Sequence, residues 1–125
     1  LEATVAAVQA EPDQLVAWLG PAIGPDAFEV GPEVRDAFVA RDAANDDAFM
    51  RNATGRFQAD LYSLARRALA RVGVHHVSGG GRCTQREAAE FLSFRRDGGR
   101  TGRMATLAWL TPSARTDSHA GRVLT

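Results

Sequence analysis

The chain predicts an α/β fold, and three observations carry that reading. ADLYSLARRALARVGV holds a helical stripe closed by Gly73, and VHHVS follows at once as a strand. Glycine-rich turns, GPAIGP and GGG, punctuate the short apolar runs on either side. MATLAWL, Met104–Leu110, then reads as a buried seven-residue strand. Helix, Gly, strand, and then Gly-turn, helix, strand is an order that belongs to α/β organisation.

Each element follows from its residues. Leu1, Val5 and Val8 stand at helical spacing, so a helix opens the chain. No Ser, Thr, Asp or Asn precedes Leu1 to cap it, which reads as a helix cut in its middle. EPDQ breaks that helix, and Leu15–Leu19 is expected as a buried strand. A stiff Gly20–Pro25 loop leads to a second short strand, Ala27–Val30. Pro32 suits the first helical position, with Glu33 favourable beside it and Val34, Phe38 and Val39 facing inward. Residues 42–56 are polar and irregular, and predict a loop anchored by Phe49–Met50. Leu61, Leu64, Ala65, Ala68, Leu69 and Val72 then line one helix face, with Arg66, Arg67 and Arg71 opposite. Asp60 caps this helix, and Gly73 ends it in the left-handed conformation. Thr84 and Glu87 form a capping box that predicts a short helix over TQREAAEF. The polar residues 111–125 lack periodicity and are expected to be a disordered tail.

Composition narrows the function classes. At 125 residues the chain is one domain at most, 45% hydrophobic and 24% charged, as soluble domains are. No run reaches the roughly 18 apolar residues of a membrane span, and no secretory signal is visible. One cysteine, Cys83, leaves no internal disulfide and favours a reducing compartment. All 15 cationic residues are arginine, so neither a P-loop nor a Schiff-base lysine can be built here. Net charge is zero, yet residues 1–60 hold 11 acidic residues and four arginines, and residues 61–125 hold four and 11. Attraction between the two halves within one fold is the expected consequence. Nucleic-acid binding wants a basic excess over the whole domain and an aromatic ladder, and both are missing.

Few residues offer chemistry. Gly79-Gly80-Gly81 lies where backbone N–H groups can cradle an anion, although the Glu87 carboxylate of the capping box competes for that place. His75 and His76 are adjacent in a strand and point to opposite faces, and no other His or Cys stands at zinc spacing. Cys83 at a helix start reads as a structural cysteine, since no histidine lies near in sequence to act as its base. Arg95-Arg96-Asp97-Gly98-Gly99-Arg100-Thr101-Gly102-Arg103 reads as a tight turn between extended segments. Its guanidinium forks suit carboxylate or phosphate oxygens, so they answer either a ligand or acidic groups of the same fold.

GPAIGPDAFEVGPEV, ADLYSLARRALARVGV, GGGRCT and FLSFRRDGGRTGRMATLAWL, in this order, resemble the C-terminal half of the YfiH-type family. That family is also known as the laccase-domain or multicopper polyphenol oxidoreductase proteins, and later as purine nucleoside phosphorylases. The resemblance implies that residues 1–110 are part of a larger mixed α/β (α+β) domain in which helices layer on mixed sheets. It implies a cytoplasmic enzyme that binds one zinc, with copper as an older assignment. Phosphorolysis of adenosine, inosine and methylthioadenosine, and adenosine deamination, are the implied activities. The implied partners are the N-terminal half of the same protein, a purine nucleoside and phosphate, with no nucleic-acid polymer and no membrane. The family's histidine and cysteine ligands lie in that other half, and its His-Ala-Gly-Trp-Arg-Gly motif does not occur here. No catalytic or metal role therefore falls on His75, His76 or Cys83. Arg95, Arg96 and Arg103 are the candidate anion-binding residues, and the isolated chain is expected to be inactive. The rival readings are a copper-dependent polyphenol oxidase and a non-catalytic fragment that only associates with the other half.

Overall fold

Residues 1–109 are described by a computed structural model, and the expected tail over 111–125 lies outside them. Four helices, α1 (Glu2–Ala7), α2 (Pro32–Arg41), α3 (Leu61–Arg71) and α4 (Phe94–Asp97), accompany five strands. The strands are β1 (Val16–Leu19), β2 (Glu29–Val30), β3 (Phe49–Arg51), β4 (Phe57–Ala59) and β5 (His76–Gly79). β1 and β5 pair in parallel, while β2, β4 and β3 form an antiparallel sheet in that order. The fold is mixed α/β, as the sequence predicts.

The core sits where the antiparallel sheet meets α3. Val30, Ala48, Phe49, Ala59 and Leu64 are buried together, with Phe28, Val34 and Phe57 packed against them. α3 forms where its periodicity predicts. The Asp60 carboxylate accepts from the Ser63 N–H at 3.0 Å and from the Ser63 hydroxyl at 2.7 Å. At the other end Gly73 has φ +84°. The Val74 N–H reaches the Leu69 carbonyl at 2.9 Å and the Gly73 N–H reaches Ala70 at 3.0 Å, the bond pair of a Schellman stop. Val74 is thereby delivered into the interior at 1% exposure.

Residues 42–56 depart from the expected loop. They contain a 3-10 turn over Ala43–Ala48 and the β3–β4 hairpin, with Phe49 opposite Ala59 and Arg51 opposite Phe57. Asn52 builds the connection, because its Oδ1 accepts from the N–H groups of Thr54 and Arg56. The Phe49–Met50 pair splits across the strand: Phe49 is buried and Met50 is 71% exposed.

Two further expectations are corrected, for β1 and for the closing strand. β1 forms, but Val16 (76%) and Trp18 (56%) are exposed, because only the face bearing Ala17 and Leu19 turns inward. α1 forms without a side-chain cap, as its residues predict, with Leu1 and Val8 exposed and Val5 half-buried. α2 has Pro32 at its first turn and turns the expected face inward: Val34 packs against the core and the Phe38 ring lies 5.9 Å from that of Phe49, although none of its residues is fully buried. Met104–Trp109, the described part of the expected closing strand, is irregular and exposed. A strand needs a hydrogen-bonding neighbour, and no described residue supplies one to this segment.

Candidate functional site

The arginine segment is not a turn between extended segments. α4 occupies its first part, with the Ser93 hydroxyl accepting from the Arg96 N–H, and a 3-10 turn follows over Gly98–Arg100. Ser93 is buried, which places the start of α4 against the fold and leaves Phe94 61% exposed.

The three candidate arginines do different things. Arg96 is a hub. Its guanidinium grips Asp97 with two bonds of 2.8 Å and donates to the carbonyls of Thr84 (2.8 Å), Gln85 (3.1 Å) and Phe91 (2.9 Å). The hydrogen bond to Arg96 holds the Asp97 carboxyl below its ordinary pKa. Arg95 turns the other way, donates to the Glu29 carbonyl at 3.0 Å and lies 5.3 Å over the Phe28 ring. Arg103 lies 5.8 Å over the Phe94 ring and donates only to the Gly102 carbonyl beside it. Among the described residues, neither Arg95 nor Arg103 forms an ion pair with a carboxylate.

Arg96 also accounts for the missing helix over TQREAAEF. In a helix starting at Thr84, the Thr84 and Gln85 carbonyls would accept from Ala88 and Ala89. Arg96 claims both carbonyls, and the stretch relaxes into successive turns. The capping box is displaced by one residue, since the Glu87 carboxylate accepts from the Cys83 N–H at 2.6 Å. Arg82 pairs with both Glu87 and Glu90 and lies 4.9 Å over Phe91.

A small hollow of about 190 Å³ opens beside this loop, lined by Gly24, Asp26, Tyr62, Gly81, Cys83 and Arg86 among others. Gly79, Gly80 and Gly81 all have positive φ, and a Cβ on Gly79 would sit 2.4 Å from the Leu19 carbonyl oxygen. Tyr62 fastens the two loops that meet here. It accepts from the Ala22 N–H at 2.8 Å and donates to the Arg82 carbonyl at 2.7 Å. Periodicity places Tyr62 on α3 without any sign of this role, and the chain has no second tyrosine. The Cys83 Sγ accepts from the Gly24 N–H at 3.2 Å. Burial pushes the thiol pKa up, but the N–H groups of Gly24, Arg86 and Gln85 outweigh it and hold the pKa below its ordinary value. Arg86 is paired across the hollow with Asp26 at 3.1 Å. Every described charge around the hollow thus has a partner in the fold.

His75 and His76 are both exposed. Among the described residues no three His, Cys, Asp or Glu side chains stand together as a metal site, so these residues do not fit the metal that the resemblance implies. No helix among them is long and apolar enough to cross a membrane.

Comparison with known proteins places the chain. A family model described as multi-copper polyphenol oxidoreductase laccase matches residues 1–111. A purine nucleoside phosphorylase of Pseudomonas aeruginosa is 57% identical over 88% of this chain and 46% of its own length. The Escherichia coli purine nucleoside phosphorylase YfiH is 53% identical over 88% of this chain and 44% of its own. A Neisseria meningitidis crystal structure superposes with TM-score 0.76 at 48% identity, over 78% of this chain and 40% of that one. The Bacillus licheniformis hypothetical protein YfiH gives 0.73 at 28% identity, over 81% and 40%. The chain spans less than half the length of these relatives. The capped α3, the Tyr62 loop clasp and the Arg96 hub all fall within the matched span, and the chain belongs to the multi-copper polyphenol oxidoreductase laccase family.

Proposed function

We propose that this chain is the C-terminal part of a purine nucleoside phosphorylase, cleaving the N-glycosidic bond of adenosine, inosine or methylthioadenosine with phosphate. The 57% identity with a relative bearing that name carries the reading. The same reading includes adenosine deamination, a cytoplasmic setting, and zinc held by residues of the N-terminal half. This part supplies the cleft wall and the arginines. Arg95 and Arg103 are suited to hold phosphate, since each is on the surface and engaged only by a ring face and a backbone carbonyl. Arg96 positions them by tying α4 to the 84–91 loop.

The test is a graft in which residues 1–111 replace the matching segment of the Pseudomonas aeruginosa relative. The expected result is phosphate-dependent hypoxanthine release from inosine. Arg103→Ala in the graft raises the half-saturating phosphate concentration about tenfold while inosine saturation holds, the size expected for one charge-assisted contact. Unchanged phosphate dependence removes Arg103 from the anion site. A folded graft without phosphorolysis removes the reading itself. The family description favours a second reading, copper-dependent phenol oxidation. Oxygen uptake with a phenol and copper by the same graft, without phosphorolysis, would select it.

A further inference from the structure

Among the described residues an arginine lies over an aromatic ring at four places: Arg35 on Phe57, Arg82 on Phe91, Arg95 on Phe28 and Arg103 on Phe94. Three of these rings are half-buried. Phe28 and Phe57 pack on the core, and Phe91 sits under an arginine held by Glu87 and Glu90. Phe94 differs. Its ring is 61% exposed, and its arginine pairs with no carboxylate among the described residues.

Two passes of the chain build this spot. Ser93 is buried and anchors the first, which leaves its neighbours Leu92 and Phe94 on the surface. The Leu92 N–H donates to the Met104 Sδ at 3.3 Å. Gly102 comes so close that a Cβ there would lie 3.1 Å from the Leu92 Cδ1. These contacts hold residues 102–104 against 92–94 and set Arg103 over the Phe94 ring. Thr101 stands on the same pass, within about 7 Å of chain from Arg103. Its hydroxyl oxygen is buried without a hydrogen-bond partner, and a buried hydroxyl left unmatched is costly. An open ring face, a cation free of carboxylates and an unmatched hydroxyl suit a flat, polar-edged ligand with an anion beside it.

We infer that Phe94 and Thr101 form the purine subsite of the proposed phosphorylase: the base stacks on the open face of Phe94, and the Thr101 hydroxyl hydrogen-bonds its polar edge. The inference rests on the phosphorylase reading and adds the base to the phosphate given to Arg103. With phosphate at the guanidinium on one face of the ring and the base on the other, the two flank the ribose carbon from opposite sides. Displacement of the base by a phosphate oxygen requires that arrangement. Every base presents a π face to an aromatic ring, so Phe94 serves adenosine and inosine alike.

The experiment uses the graft of residues 1–111 in the Pseudomonas aeruginosa relative. Two readouts are taken: inosine and phosphate saturation, and equilibrium dialysis of formycin B without phosphate. Formycin B is a C-nucleoside analogue of inosine whose glycosidic carbon–carbon bond phosphate does not cleave. Phe94→Ala is expected to raise the half-saturating inosine concentration and the formycin B Kd about tenfold or more, with phosphate saturation within about twofold. Phe94→Tyr keeps the ring and restores both, whereas Phe94→Leu keeps only bulk and does not. Thr101→Val weakens formycin B about fivefold yet melts no lower than the parent, because the hydroxyl it removes has no partner in the fold, and Thr101→Ser binds as the parent does. Met50→Ala, at an exposed apolar residue on β3, changes none of these. Phosphorolysis and formycin B binding that survive Phe94→Ala unchanged overturn the subsite and leave the phosphorylase reading standing. So does a rise for phosphate as large as that for inosine, which makes the ring a support for Arg103 alone. A folded graft without phosphorolysis removes the reading and the subsite together.

Discussion

Residues that look alike in this sequence do unlike work. Arg95, Arg96 and Arg103 are chemically identical and lie within nine positions, yet only Arg96 is engaged by three carbonyls and a carboxylate. Arg96→Ala would leave those acceptors to partial solvation, and is expected to cost about 1–3 kcal/mol. Arg103→Ala is expected to stay within about 0.5 kcal/mol, as for an exposed side chain without such a network. Urea unfolding of both variants at an unchanged m-value measures the contrast. Equal losses would show that Arg96 is not the hub of this loop. Cys83 offers a separate test at the same scale. The backbone N–H groups of Gly24, Arg86 and Gln85 stabilise its thiolate, so alkylation by iodoacetamide is expected to reach half its limiting rate below the ordinary thiol range of about 8.5.

Among the elements, α3 was legible because its signals are local. Six apolar positions, an Asp before the first turn and a Gly after the last all lie within 14 residues, and each performs the role that its type predicts. Asp60→Ala is expected to cost about 1 kcal/mol. Gly73→Ala should cost at least as much, because φ is +84° and the new methyl would lie 3.2 Å from the Pro12 Cβ. Thermal melts of the two variants check both, and a neutral Gly73→Ala would contradict the stop geometry. The hairpin over β3 and β4 was illegible because its strands are three residues each and its loop is organised by one side chain, Asn52, rather than by a turn dipeptide. The 84–91 helix failed for a non-local reason: Arg96, remote from that turn in sequence, takes the carbonyls it needs. Of the candidate site, the residue types could be read in the sequence, but their division of labour could not. Which acceptor each guanidinium meets is set by chain crossings such as Glu29 against Arg95.

Across the whole molecule, the opposed charge of the two halves is realised as contacts. Arg71 pairs with Glu2 and Asp42, Arg67 with Asp47, and Arg86 with Asp26, each joining the acidic half to the basic one. Glu2 also pairs with Arg41, so one carboxylate ties α1 to both α2 and α3. Hydrogen bonding to Arg71 lowers the Glu2 pKa. The Ala44 N–H and then Arg71 lower that of Asp42, and Arg82 followed by the Cys83 N–H lowers that of Glu87. Asp97 moves the same way under Arg96. The sign follows from linkage. A carboxylate with a depressed folded pKa binds fewer protons folded than unfolded, so stability rises with pH across its titration. The contribution is complete above the ordinary values, 4.5 for Glu and 3.8 for Asp, and disappears as pH falls through the lowered folded ones. The urea midpoint is therefore expected to be flat from about pH 7 to about pH 5.5 and to fall below about pH 4.5. Because these pairs are exposed, 1 M salt should shrink the acid-sensitive part by screening. Glu2→Gln should flatten the acid limb and speed amide exchange in α1 first, since it removes the clamp on that helix alone. A midpoint that declined as pH rose from 5 to 8 would place the governing titration elsewhere, and the charge asymmetry would then be incidental to the fold.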